Sequence, residues 1–326
     1  MTRVAAIDCG TNSIRLLISD VAADGQIRDI SRQMEIIRLG EGVDATGQLA
    51  PEAIERARTA LEAYVKQMKF EQVKAVRMVA TSATRDARNR EDFFTMTEEV
   101  LGRIQPGARA EVISGEEEAL LSFTGAVSDL PADMGPFCVI DLGGGSTEFV
   151  IGTGQGEILG SHSVQMGCVR LTERVLHTDP PVEAEIEQAR ALVRETLGEV
   201  AHKIPLQQAS TVVGCAGTFT TLSALAQGLE RYDPDAIHNS ELQFNALRVL
   251  AEQLLRASSA SRALNPVIHP GRADVLGGGA MVVQGIIDLF NDNRPEDGTV
   301  AGPNSFIISE KDILDGIVLQ LAKRPD

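Results

Sequence analysis

The chain has 326 residues, enough for about two domains at roughly 150 residues each. Hydrophobic residues make up 43% and charged residues 23%, a globular composition that excludes a disordered chain. With 30 basic and 46 acidic side chains the formal charge is −16. That argues against coating nucleic acid or a membrane surface, so an anionic ligand has to be held by local geometry.

Cys9, Cys138, Cys168 and Cys215 are widely separated, with no histidines clustered beside them. The spacing fits reduced, buried thiols rather than a disulfide framework or a zinc site. Asp8 and Arg15 interrupt the first apolar stretch, so no secretory leader is read there. The charge-free run 204–229 contains Pro205, Gln207, Gln208 and Ser210 and is too polar to span a bilayer. The expectation is a soluble, cytoplasmic protein with no membrane or nucleic-acid partner.

The first predicted elements are two apolar strands around the turn Gly10-Thr11-Asn12-Ser13, a hairpin signal. Residues 51–68 follow as an amphipathic helix, with Ile54, Ala57, Leu61 and Val65 at helical spacing, and 73–80 as a strand. A strand at 110–113 leads into a helix opened by Ser114. The turn-rich stretch 128–136 reads as a domain boundary, giving domains 1–128 and 129–326. A second hairpin then surrounds Gly143-Gly144-Gly145-Ser146. Beyond it, 182–203 reads as a helix and 211–214 as a strand. Residues 242–255, 273–290 and 312–321 read as helices, and a C-terminal helix at about 310–322 could pack back on the first domain. Strands alternate with helices throughout, so the class is α/β.

The two hairpins are copies of one pattern. Ile7/Ile140, Asp8/Asp141, Gly10/Gly143, Ser13/Ser146 and Ile18/Ile151 all match at one offset of 133 residues. Small-residue turns expose backbone N–H groups and form concave anion sites, for which phosphate is the natural guest. An Asp precedes each turn, so the two carboxylates are expected at strand ends facing one cleft. Hard oxygen ligands of this kind suit Mg²⁺. Glu148 shares strand parity with Ser146 and could reach the metal or a water; an exposed strand carboxylate is the plainer alternative.

Ser114 with Glu117 reads as a capping box, which leaves Glu118 as the carboxylate to test as a base. Arg85, at the start of an apparent helix after Thr81, opposes the helix dipole there, and a nearby anion would remove the conflict. The run 212–218 is a third candidate phosphate or nucleotide loop. Gly277, Gly278 and Gly279 within a helical pattern imply a close approach by another helix or by a ligand.

Taken together, the motifs around Asp8, residues 80–85, 113–119, 140–148, 166–171 and 272–274 resemble the exopolyphosphatase and guanosine pentaphosphate phosphatase family. The resemblance implies a two-lobed actin-like, ribonuclease-H-like ATPase fold of the sugar-kinase and actin superfamily, with the active site in an interdomain cleft. It implies Mg²⁺-dependent hydrolysis of a terminal phosphoanhydride. Glu118 matches the general base and Asp141 and Glu148 the metal or water-positioning acids; Asp8 takes the first acidic position. Asn12, Ser13, Arg85, Gly143, Gly144, Gly145 and Ser146 match phosphate-binding positions, and Thr11 lies in the same turn.

The activity expected first is an exopolyphosphatase that prefers short chains, because the acidic chain offers no broad basic surface and lacks the C-terminal helical domain of longer members. A guanosine pentaphosphate 5′-phosphatase is the close alternative, though no aromatic pair for stacking a guanine is evident. A kinase or a non-catalytic nucleotide switch on the same fold comes further behind. A homodimer is common in the family resembled.

Overall fold

The computed structural model describes residues 1–294 and 302–323, so 295–301 and 324–326 of the expected second domain lie outside the described residues. The chain forms two compact units, Met1–Gly125 with Ile313–Asp326, and Ala126–Asp312.

In the first unit β1 (Thr2–Cys9), β2 (Ser13–Val21) and β3 (Ile27–Ile36) form an antiparallel meander. After the short α1 (Val43–Thr46) and the long α2 (Pro51–Phe70), β4 (Ala75–Ala80) joins β1 in parallel. The chain continues through α3 (Ser82–Asp86) and α4 (Arg90–Leu101) to β5 (Ala110–Val112) and α5 (Gly115–Ala126). The sheet order is β3-β2-β1-β4-β5. β1 is buried on both faces: Ala5, Ile7 and Cys9 pack into the cluster with α2 and α4, while Val4 and Ala6 face the other way.

The second unit repeats this plan. Strands β6 (Phe137–Leu142), β7 (Thr147–Gly152) and β8 (Ile158–Val164) form the meander. Helices α6 (Cys168–Val175) and α7 (Glu183–Lys203) lead to β9 (Thr211–Cys215), parallel to β6. Then come α8 (Ala216–Ala226), α9 (Pro234–Ile237), β10 (Glu241–Gln243), α10 (Phe244–Arg256), α11 (Ser259–Ala263), α12 (Leu276–Asp292) and β11 (Ser305–Ile308). The order β10-β11-β9-β6-β7-β8 contains the first sheet's order, read from β8 to β11, with β10 added at the edge. Two mixed α/β units of this kind fit the actin-like fold class.

The last helix, α13 (Ile313–Lys323), belongs to the first unit. Its Ile313, Leu314, Ile317 and Val318 cover the Val4 and Ala6 face of β1, and Arg32 bonds Asp315 at 2.6 Å. The helix expected from 242 starts at Phe244, because Leu242 is drawn into β10 opposite Phe306 of β11. All four cysteines are free and buried. No described helix is long and apolar enough to cross a membrane.

Candidate functional site

In the first hairpin, Gly10 N–H donates to the Ser13 carbonyl at 3.0 Å and closes the turn. The Thr11 carbonyl accepts from Gly40 N–H at 2.8 Å, and that of Asn12 from Ile37 and Arg38 N–H at 3.0 and 2.9 Å. A trans peptide points its N–H opposite to its carbonyl. The N–H groups of Asn12 and Ser13 therefore face away from the 37–40 segment that holds the turn. A Cβ at Gly40 would overlap the Thr11 side chain, and Arg38 adopts a left-handed φ of 48° to make these contacts. The Thr11 hydroxyl is buried without a hydrogen-bond partner.

Asp8 and Arg15 face one another across the β1–β2 ladder. The Arg15 guanidinium donates to Asp8 Oδ2 through Nε at 3.0 Å and through Nη2 at 2.7 Å. Asp8, the residue expected to share a metal with Asp141, is held by this guanidinium.

Arg85 lies in the last turn of the five-residue α3, not in the first turn of a long helix, so the expected conflict with the helix dipole does not arise. Its Nη1 donates to the Ile113 carbonyl at 3.0 Å and to Glu118 Oε2 at 3.1 Å. Nη2 is buried with no partner. The expected pair Arg85 and Glu118 is thus brought together, with one strong donor left over. Glu117 N–H bonds the Ser114 hydroxyl at 3.1 Å, the first half of the capping box. The Glu117 carboxylate pairs with Arg77 at 2.9 Å rather than with the cap backbone. Its side chain is 41% exposed against 11% for Glu118, so the buried carboxylate next to Arg85 is Glu118.

In the second hairpin Gly143 N–H donates to the Ser146 carbonyl at 3.0 Å, the same closure as in the first. Here the first turn of α6 takes the place of the 37–40 segment. Cys168 N–H donates to the Gly143 carbonyl at 3.1 Å, and Val169 and Arg170 N–H to that of Gly144 at 2.9 and 3.0 Å. Gly144 and Gly145 consequently present their N–H groups away from α6. A Cβ at Gly167 would overlap the Gly144 carbonyl, so only glycine lets the helix come this close.

Asp141 and Glu148 flank this turn and oppose one another across β6–β7, both buried. Ser163, on β8 opposite Glu148, donates its hydroxyl to Glu148 Oε1 at 2.8 Å. Among the described residues no group of three or more metal-binding side chains occurs.

Sequence reasoning overlooked Arg15, Ser163 and Arg170. The signal for Arg15 was present: it sits 133 residues before Glu148, at the same place in the repeat. In the third candidate loop, Ala216 takes a left-handed φ of 68° and the Arg272 guanidinium lies directly over Gly217. The three glycines of α12 are explained by neighbours: Gly277 faces Arg262, Gly278 faces Thr172 and Cys168 of α6, and Gly279 faces Thr218 of α8.

The chain is similar to known proteins along nearly its whole length. The model of the Ppx/GppA phosphatase family matches residues 17–301. Exopolyphosphatase 2 of Mycobacterium tuberculosis is 53% identical over 325 residues, covering 99% of each chain. The crystal structure of an exopolyphosphatase-like protein, 42% identical, covers 98% of this chain and 97% of its own with a TM-score of 0.90. A Ppx/GppA family member from Aquifex aeolicus is 31% identical, with 100% of this chain and 99% of that chain covered and a TM-score of 0.78. With a family model over residues 17–301 and 53% identity over nearly the whole chain, the chain belongs to the Ppx/GppA phosphatase family.

Proposed function

We propose that the protein is an exopolyphosphatase, a phosphoanhydride hydrolase that releases orthophosphate from the end of inorganic polyphosphate. The observation that carries the reading is the second hairpin, in which a pair of buried carboxylates, Asp141 and Glu148, brackets a turn with outward N–H groups. That is a site for a phosphate oxygen beside a site for a cation. The 53% identity to a protein named exopolyphosphatase supports the same substrate.

Phosphoryl transfer depends mainly on positioning and charge stabilisation. Mg²⁺ held by Asp141 and Glu148 would neutralise phosphate charge. The turn amides of Gly144 and Gly145 bind phosphoryl oxygens, as do those of Asn12 and Ser13. Arg85 donates from Nη2, the guanidinium nitrogen with no protein partner. Glu118 accepts a proton from the attacking water, and its bond to Arg85 keeps the carboxylate oriented until then. Asp8 stays bound to Arg15 and keeps that cation in place.

Short chains are the preferred substrate, because a net charge of −16 repels a long polyanion beyond the few phosphates held locally. Phosphate release should be measured on a polyphosphate chain-length ladder beside guanosine pentaphosphate, each with Mg²⁺ and with chelator. Release from short polyphosphate that needs Mg²⁺ supports the reading. Faster release from guanosine pentaphosphate would replace it with the nucleotide phosphatase, and a steep rise with chain length would overturn the short-chain preference.

A further inference from the structure

The 143–146 turn contains three successive peptide units whose orientation decides which way their N–H groups point. Two are fixed by backbone: the Gly143 and Gly144 carbonyls accept from the first N–H groups of α6. The third joins Gly145 to Ser146, and its carbonyl is held by a side chain. Arg170 Nε donates to the Gly145 oxygen at 2.6 Å. Because the peptide is planar and trans, this bond turns the Ser146 N–H the opposite way, alongside those of Gly144 and Gly145. None of these three N–H groups donates a backbone hydrogen bond among the described residues.

Small flanking residues leave the Gly145–Ser146 peptide otherwise easy to rotate, since glycine tolerates most backbone angles. We propose that Arg170 is a positioning residue for substrate binding: it locks this peptide so that Ser146 N–H completes a three-amide cradle for a phosphoryl group. Arg170 contributes twice to the cradle, through its own backbone N–H on the Gly144 carbonyl and through Nε on that of Gly145. The substitution that matters is therefore in the side chain alone, and it leaves the backbone half of the clamp intact.

This inference rests on the phosphoanhydride reading, so its test separates the two. R170M keeps the apolar stem and removes the donor; R170K restores one donor on a flexible stem. Losing one amide contact to a charged phosphate predicts a KM for short-chain polyphosphate about tenfold higher in R170M, with kcat changed much less and R170K in between. A protein merely damaged in folding shows the reverse, a lower apparent kcat at unchanged KM. Independently of turnover, calorimetry with tripolyphosphate and Mg²⁺ compares E118Q with E118Q/R170M, and the double variant binds about tenfold more weakly. If the wild-type protein releases no phosphate but this binding difference persists, the hydrolase reading fails and the clamp stands. Equal binding by the two proteins, or a KM for R170M equal to the wild type, overturns the clamp.

Discussion

Arg15 and Glu148 occupy the same place in two copies of one hairpin, the first opposite Asp8 and the second opposite Asp141. The duplication kept the aspartate and reversed the charge across from it. One copy sets an arginine against its aspartate; the other sets two carboxylates opposite one another.

Replacing one member of the acidic pair therefore separates stability from activity. In E148Q the charge is removed, and Gln can still accept from the Ser163 hydroxyl. The variant is expected to melt close to the wild type, while Mg²⁺-dependent phosphate release collapses. D8N is expected to leave the Mg²⁺ concentration for half-maximal rate unchanged. Thermal melting in chelator and Mg²⁺ titration of the rate measure both effects.

Glu117 and Glu118 are neighbours with different partners, and their substitutions should differ accordingly. E118Q removes the proton acceptor and lowers kcat by about 10²–10⁴-fold with little change in KM. E117Q loses only a half-exposed bond to Arg77, worth up to about 1 kcal/mol of stability, and turns over at close to the wild-type rate. Steady-state kinetics on the two variants decide between them; equal losses would contradict the assignment.

Gly167 has no room for a side chain against the Gly144 carbonyl. G167A must push α6 and the 143–146 turn apart, and a misplacement of that size can lower the rate about 10²-fold. Kinetics beside a melting curve distinguish this from loss of the fold.

Much of this was legible beforehand because it is local. Matches of Asp, Gly and Ser at a constant offset announced two hairpins, and helical spacing at Ile54, Ala57, Leu61 and Val65 announced α2. What stayed hidden depends on contacts distant in sequence. Nothing near residue 170 tells that its side chain will reach a carbonyl 25 positions back. The sequence places Arg85 at a helix entry, but the helix stops at Asp86, which puts Arg85 in its last turn and reverses the sign of the dipole argument. Strand β10 was read as helix because Leu242 fits both periods, and only its partner Phe306 decides.

Asp20 supplies a pH-dependent test. The hydrogen bond from Arg3, at 2.7 Å, lowers its carboxyl to about 2. A folded-state value below the unfolded one means that the pair stabilises the fold fully above about pH 4 and is lost as pH falls through about 2. D20N should be less stable than the wild type by about 1 kcal/mol at neutral pH, with the gap shrinking below pH 4 and closing near pH 2. Denaturant titrations at several pH values report it; a gap independent of pH would exclude the ion pair as its source.

The glycine stretch of α12 has a practical bearing on engineering. Alanine replacement of helical glycines is a standard route to heat resistance, worth about 1 kcal/mol each. Here the recipe is expected to backfire: a methyl group at Gly278 would meet Cys168 and Thr172, in the same helix that holds the 143–146 turn. A thermostabilisation campaign that left residues 277–279 untouched would keep turnover, and one that filled them would trade rate for rigidity.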